Sequence, residues 1–78
     1  MTEAMQTIRF QMRSEFIELH KLLKIEGVCA SGGEAKMLVA SGEVRVDGAF
    51  ELRKACKIRA GQIVETGAVR IAVSGAAS

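Results

Sequence analysis

Four basic side chains, Arg53, Lys54, Lys57 and Arg59, fall within seven positions of a 78-residue chain, with no acid among them. Cations packed this densely attract phosphates or carboxylates. An ordinary solvated face of the same length mixes acids in. In an extended backbone Arg53, Ala55, Lys57 and Arg59 share one side, and Lys54, Cys56, Ile58 and Ala60 share the other. Cys56 and Ile58 then turn to the core, while Lys57 and Arg59 turn outward.

A second candidate lies upstream in SGGEAK, residues 31–36. Ser31 and Glu34 have the spacing of a capping box, in which the Ser side chain takes the third helical amide and the Glu reaches back. A helix start leaves amides without partners and carries partial positive charge. Gly32 and Gly33 let a phosphate approach that backbone closely. Lys36 follows Gly32 by four residues and projects from the same side. The competing reading is a capped helix start in which Glu34 already answers the free amides. Lys24 sits where a cation complements the end of an earlier helix, and a contact to a bound polyanion fits it equally.

Charge is unevenly spread. Residues 1–35 carry four basic and five acidic groups, net −1, and residues 36–59 carry six and three, net +3. Arg45 belongs to this central excess. Other chemistries fit poorly. Cys29, Cys56 and His20 are too few and wrongly spaced for a zinc site, and the cysteines read as small buried hydrophobes in a reducing compartment. No nucleophile–base set or nucleotide loop is recognisable, so an enzyme is not expected. No apolar run is long enough to span a bilayer or to form a signal peptide. No cofactor is implied, and a cytoplasmic monomer is expected.

These residues need elements to position them. In TIRFQM, Ile8, Phe10 and Met12 alternate with polar residues, which predicts a strand over 7–12. Ser14 is placed to cap a helix over 15–25 with an apolar stripe of Phe16, Leu19, Leu22 and Leu23, and Gly27 stands where a left-handed cap is wanted. A second helix runs from Ser31 to about Ser41, burying Ala35, Leu38 and Val39, and Gly42 stops it. Asp47-Gly48 between alternating residues predicts a type I′ hairpin pairing Val46 with Ala49, Arg45 with Phe50 and Val44 with Glu51. Glu51 then falls on the apolar side, where a carboxylate is costly unless a bulge turns it out or it pairs with Arg53 or Lys36. Strands near 56–60, 62–65 and 68–73 finish the sheet, and 74–78 form a flexible tail. With 49% hydrophobic residues and only three aromatics, all Phe, the core must be largely aliphatic, and the Phe residues are expected within it. The order argues a single α+β domain over 1–73, with two packed helices on one face of a small, mainly antiparallel sheet.

LHKLLKIEG (19–27), SGGEAKMLVASG (31–42), EVRVDG (43–48) and KACKIRAGQIV (54–64), in this order and spacing, resemble the S-four domain. This is the RNA-binding module named after ribosomal small-subunit protein four, with its αL motif. The resemblance covers about 19–65 and suggests a stand-alone bacterial version. It departs from the family in having Gly32 where many members carry Arg, Glu51 where many are apolar, and Lys54-Ala55-Cys56 where many have Pro-Ser. It implies non-enzymatic binding of structured RNA, ribosomal or transfer, through the two helices and the adjoining strand. The candidate RNA-binding residues are Lys24, Ser31, Gly32, Lys36, Arg45, Arg53, Lys54, Lys57 and Arg59. The alternative is a basic protein-interaction module docking onto a ribosome-associated or RNA-processing partner. A ubiquitin-like sulfur carrier is excluded by the terminal SGAAS, which lacks the Gly-Gly such carriers need. Without Tyr or Trp, recognition of folded RNA through phosphates and shape is expected rather than base stacking.

Overall fold

The computed structural model describes residues 6–75. In chain order the elements are β1 (Gln6–Gln11), β2 (Ile17–Glu18), α1 (Leu19–Ile25), α2 (Gly32–Ala40), β3 (Val44–Val46), β4 (Ala49–Phe50), β5 (Lys57–Ile58), β6 (Ile63–Thr66) and β7 (Val69–Ser74). Five strands form one sheet in the order β1-β7-β6-β3-β4, and β2 and β5 form a separate two-stranded ladder. All pairs are antiparallel except β1 with β7. The expected α+β architecture, with two helices on a mainly antiparallel sheet, is therefore present.

The hairpin forms as its residues dictate. Asp47 and Gly48 both adopt positive φ, at 53° and 85°, as a type I′ turn requires. Val46 pairs with Ala49 and Arg45 with Phe50, and the Glu51 amide donates to the Val44 carbonyl at 2.9 Å. The Asp47 carboxylate then reaches across the sheet, accepting from the Ile63 amide at 3.0 Å and from Gln62 Nε2 at 3.1 Å. That fixes the hairpin against the start of β6. Val44 and Val46 face inward beside Val64, Ile71 and Val73. Leu19, Leu22 and Leu23 of α1 and Ala35 and Val39 of α2 close the same aliphatic core.

The second helix matches its expected limits. Ser31 is its N-cap, with Ser31 Oγ accepting from the Glu34 amide at 3.2 Å, and Gly42 follows its end at φ 83°. The first helix is shorter than expected. Ser14 does not cap it. Instead Ser14 Oγ donates to the Phe16 carbonyl, and Ile17 and Glu18 are extended, pairing with Ile58 and Lys57. The helix begins only at Leu19, with no side-chain cap. Its first amides, those of Leu19 and His20, donate to the carbonyls of Cys56 and Lys54 at 2.9 and 3.0 Å. These partners lie far along the chain, so residues 15–18 could not reveal the boundary. At its other end Gly27 is left-handed, and the Gly27 and Val28 amides return to the Lys24 and Leu23 carbonyls in a Schellman closure.

The expected third strand of the main sheet also differs. Lys54 and Ala55 form a turn, in which the Cys56 amide donates to the Arg53 carbonyl. Only Lys57 and Ile58 are extended, and they pair with β2. The basic segment is thus a turn followed by a short ladder, not one continuous strand. At the C-terminal end, Ser74 pairs with Gln11, so β7 extends one residue past the expected domain limit at 73. Residues 76–78 of the expected tail lie outside the described residues.

Ile58 joins the small ladder to the core and is fully buried. Ile58→Ala should lower stability by about 2–4 kcal/mol, seen as a lower urea midpoint with unchanged slope. A midpoint within error of the unsubstituted protein would show that the ladder does not depend on this anchor.

Candidate nucleic-acid interface

The backbone of the basic segment is held by groups that have no other partner. The start of α1 offers free amides, and the Lys54 and Cys56 carbonyls accept from them. Ile58 goes into the core while Lys57 stays exposed, so the segment is fixed from behind and its cations face outward. A groove of about 830 Å³ runs along it, lined by Ala40, Leu52, Arg53, Lys54, Ala55, Cys56 and Lys57. Ala40 brings in the face of α2 that carries Lys36 one turn earlier and Gly32 one turn before that. The stripe from Gly32 to Ala40 spans about 12 Å of helix rise. Arg53, Lys54 and Lys57 therefore line one surface that α2 meets at Ala40, with Lys36 and Gly32 one and two turns back along the same helix face.

Two of the cations are positioned without being neutralised. Lys57 Nζ lies 4.9 Å and Arg59 Cζ 5.7 Å from the centroid of the Phe16 ring. An aromatic ring attracts cations through its quadrupole yet carries no net charge. Both side chains are thereby gathered with their formal charges intact. Glu18, opposite Lys57 in the ladder, is turned toward His20 Nε2 at 3.2 Å and Lys21 Nζ at 3.4 Å. The hydrogen bond from Lys21 draws its pKa below the ordinary value, and Lys57 is left out of that ion pair. The sequence pattern places Phe16 in the stripe of α1. Its role beneath Lys57 and Arg59 depends on the β2–β5 pairing, for which no local signal exists.

Arg53 is held differently. Arg53 Nε and Nη2 donate to Glu51 Oε2 and Oε1 at 2.9 and 3.2 Å, and the Arg53 amide donates to Glu51 Oε2 at 3.0 Å. Of the two expected bases, Arg53 and not Lys36 is the partner of Glu51. The pair leaves the guanidinium largely exposed but offsets its charge. The three donated hydrogen bonds hold the Glu51 carboxyl down at about 2.

At the start of α2, Ser31 caps the Glu34 amide, and Glu34 Oε1 accepts from the Ala30 amide at 3.1 Å. The glutamate folds back one residue further than a standard capping box. Gly32 and Gly33 make no amide hydrogen bond among the described residues, and a side chain at Gly32 would meet only open space. The helix start is thus self-capped yet still accessible at its first two amides.

Two candidates stand apart from this surface. Lys24 lies in the last turn of α1; like Ser31, Gly32, Lys36 and Arg59 it does not line the groove, and it shares neither the Phe16 platform nor the α2 face that reaches Ala40. Arg45 points to the opposite face of the sheet, directly across from Phe50 on one side and Glu65 on the other. Phe50 itself is 70% exposed, not in the core. The register that turns Arg45 outward turns Phe50 outward too, so this signal was present in the hairpin pattern. Leu52, 62% exposed, completes the groove wall.

Comparison with known proteins decides the family. The S4 domain family matches residues 10–74. The chain belongs to the S4 domain family. YbcJ of Escherichia coli (strain K12) is 58% identical over 48 residues, which cover 62% of this chain and 69% of YbcJ. YbcJ of Shigella flexneri matches to the same extent. The solution structure of the Escherichia coli protein, which has an αL motif involved in RNA binding, superposes with a TM-score of 0.65 at 42% identity. It covers 95% of this chain and 92% of that one. Within this S4 domain the layout of helices and hairpin frames the groove, while the Phe16 platform and the Glu51–Arg53 pair come from the side chains of this sequence.

The Glu51 carboxyl generates a pH dependence. The unfolded chain binds its proton near the ordinary 4.5, and the folded protein only near 2. The pair's contribution is therefore complete above about pH 4.5 and is lost as pH falls from there toward 2. Carboxyl NMR titration should place Glu51 near 2, and Glu51→Gln should flatten that part of the stability–pH curve. An ordinary titration midpoint would show that the pair does not persist in solution.

Proposed function

We propose that this S4 domain binds structured RNA, ribosomal or transfer, without chemistry, through the groove beside α2. The observation that carries the reading is the pair of cations gathered on Phe16. Lys57 and Arg59 are fixed in place and keep their charge, which is what a phosphate-binding surface needs and what an ion-pair network would remove. Lys54 extends this surface along the groove, and Lys36 with the Gly32 and Gly33 amides extends it along α2. The αL motif of the Escherichia coli relative, involved in RNA binding, supports the same assignment. Among the described residues no helix is long and apolar enough to cross a membrane. The protein is read as a cytoplasmic monomer.

A second reading draws on the exposed apolar wall at Leu52. The same groove could receive an acidic protein segment with an apolar residue at its centre. The two separate by titration against transfer RNA and ribosomal RNA fragments at several salt concentrations. With four to six phosphates contacted, the log–log slope should be about −3 to −5, and each lost contact should reduce it by about 0.9. Combined Lys54→Ala, Lys57→Ala and Arg59→Ala should therefore flatten the slope by about two to three and weaken binding on all RNAs tested. Equal binding by this variant and the unsubstituted protein would remove the RNA reading.

Glu51 gives a sharper test. Its removal raises the net charge, which alone strengthens binding to a polyanion. If it aims Arg53 along the groove, Glu51→Ala should instead weaken RNA binding several-fold, equivalent to about 1 kcal/mol. Unchanged or tighter binding would leave Glu51 with a structural role only.

A further inference from the structure

The outer face of the main sheet carries a row of side chains that the groove does not use. The strand registers align Thr7, Arg70, Glu65, Arg45 and Phe50 across the sheet from β1 to β4. Arg70 Nε donates to Glu65 Oε2 at 3.3 Å, so that carboxylate is occupied. Arg45 forms no ion pair within 4.0 Å among the described residues. Arg9, aligned with Ala72 and Ile63, lies on the same face. Asp47 lines this face as well, with Glu65 and Arg70, so Arg9, Arg45 and Arg70 stand against two carboxylates, a small positive excess, and Arg45 is the cation beside the ring.

Phe50 is the unusual member of this row. Burial is the ordinary fate of an aromatic residue in a core this small, yet 70% of Phe50 is accessible. Phe16 has two cations over its ring, whereas no cation lies over Phe50 among the described residues. Arg45 and Phe50 form the non-hydrogen-bonded pair of the hairpin, one step in from the turn-flanking pair, where cross-strand side chains approach most closely. A bare ring with a free guanidinium beside it matches a nucleotide: the base stacks on the ring, and the phosphate meets the cation. Phe50 also lies three residues before Arg53, so in near-extended backbone it is within about 10 Å of the groove. One RNA can reach both surfaces.

We infer that Phe50, with Arg45, is a stacking site for an unpaired base next to the double-helical part of the RNA held in the groove. This rests on the RNA reading above and adds to it a second site, specific for single-stranded nucleotides at a helix junction or end.

The chain has no Trp or Tyr, so Phe50→Trp introduces a single indole fluorophore at the site. The probes are a short RNA duplex with an unpaired 3′ extension and the same duplex with blunt ends, both at low salt. The expected result is quenching of the indole emission by the extended duplex and none by the blunt one. Phe50→Ala should weaken binding of the extended duplex about ten-fold and leave its thermal midpoint unchanged, since the ring is exposed. If both duplexes bind but neither quenches, and Phe50→Ala keeps full affinity for the extension, the stacking site is overturned and the RNA reading stands. If neither duplex binds, both fall. Quenching that grows with protein concentration in the absence of RNA overturns the proposal by assigning the face to a second copy of the chain.

Discussion

The first turn of α1 has no side-chain cap, and the carbonyls of Lys54 and Cys56 supply what is missing. Much of the molecule depends on that exchange. Amides at a helix start must find acceptors or face water, and burying them unpaired is costly. By accepting them, the basic segment gains a fixed backbone at the point where its sequence would otherwise be a mobile turn. The ladder between Ile17 and Ile58 extends the same attachment by one step and brings Phe16 under Lys57 and Arg59. Helix start, ladder and cation platform thus form one connected unit.

The protein handles its cations in two ways. Arg53 is tied to a carboxylate, gaining a defined geometry but giving up much of its field. Lys57 and Arg59 are tied to a ring, gaining geometry while keeping their field. In a chain with a net charge of only +2, long-range attraction is weak, and a polyanion responds to local potential instead. Holding two charges together on a neutral platform raises that local potential, at some repulsion between the two.

Features set by neighbours in sequence were legible. Asp47-Gly48 specified its turn, Ser31 and Glu34 specified the start of α2, and Gly27 and Gly42 marked the helix ends, because each depends on contacts within a few residues. The start of α1 lies beyond local sequence signals, because its partners are residues 54 and 56. The strand expected near 56–60 narrows to Lys57 and Ile58 and joins β2 instead of the main sheet, because period-2 alternation says nothing about which strand lies opposite. The cluster of cations was visible from composition alone. Its support by Phe16 was not, since that requires the β2–β5 ladder. Phe50 is a different case: the register had already placed it outward, and only the expectation that a scarce aromatic belongs in the core obscured it.

The pairing of β1 with β7 joins Ile8 to Ile71, the longest reach in the sheet. Among the described residues β1 pairs with no other strand. During synthesis it emerges before the other strands of this sheet and is the last of them to find its place, because β7 must be made before the ladder can close. Until then Ile8, Phe10 and the inner edge of the strand lack their cover, and the helices and hairpin between them must form without it. The order in which the chain is made is thus the reverse of the order in which its outermost strand can be completed.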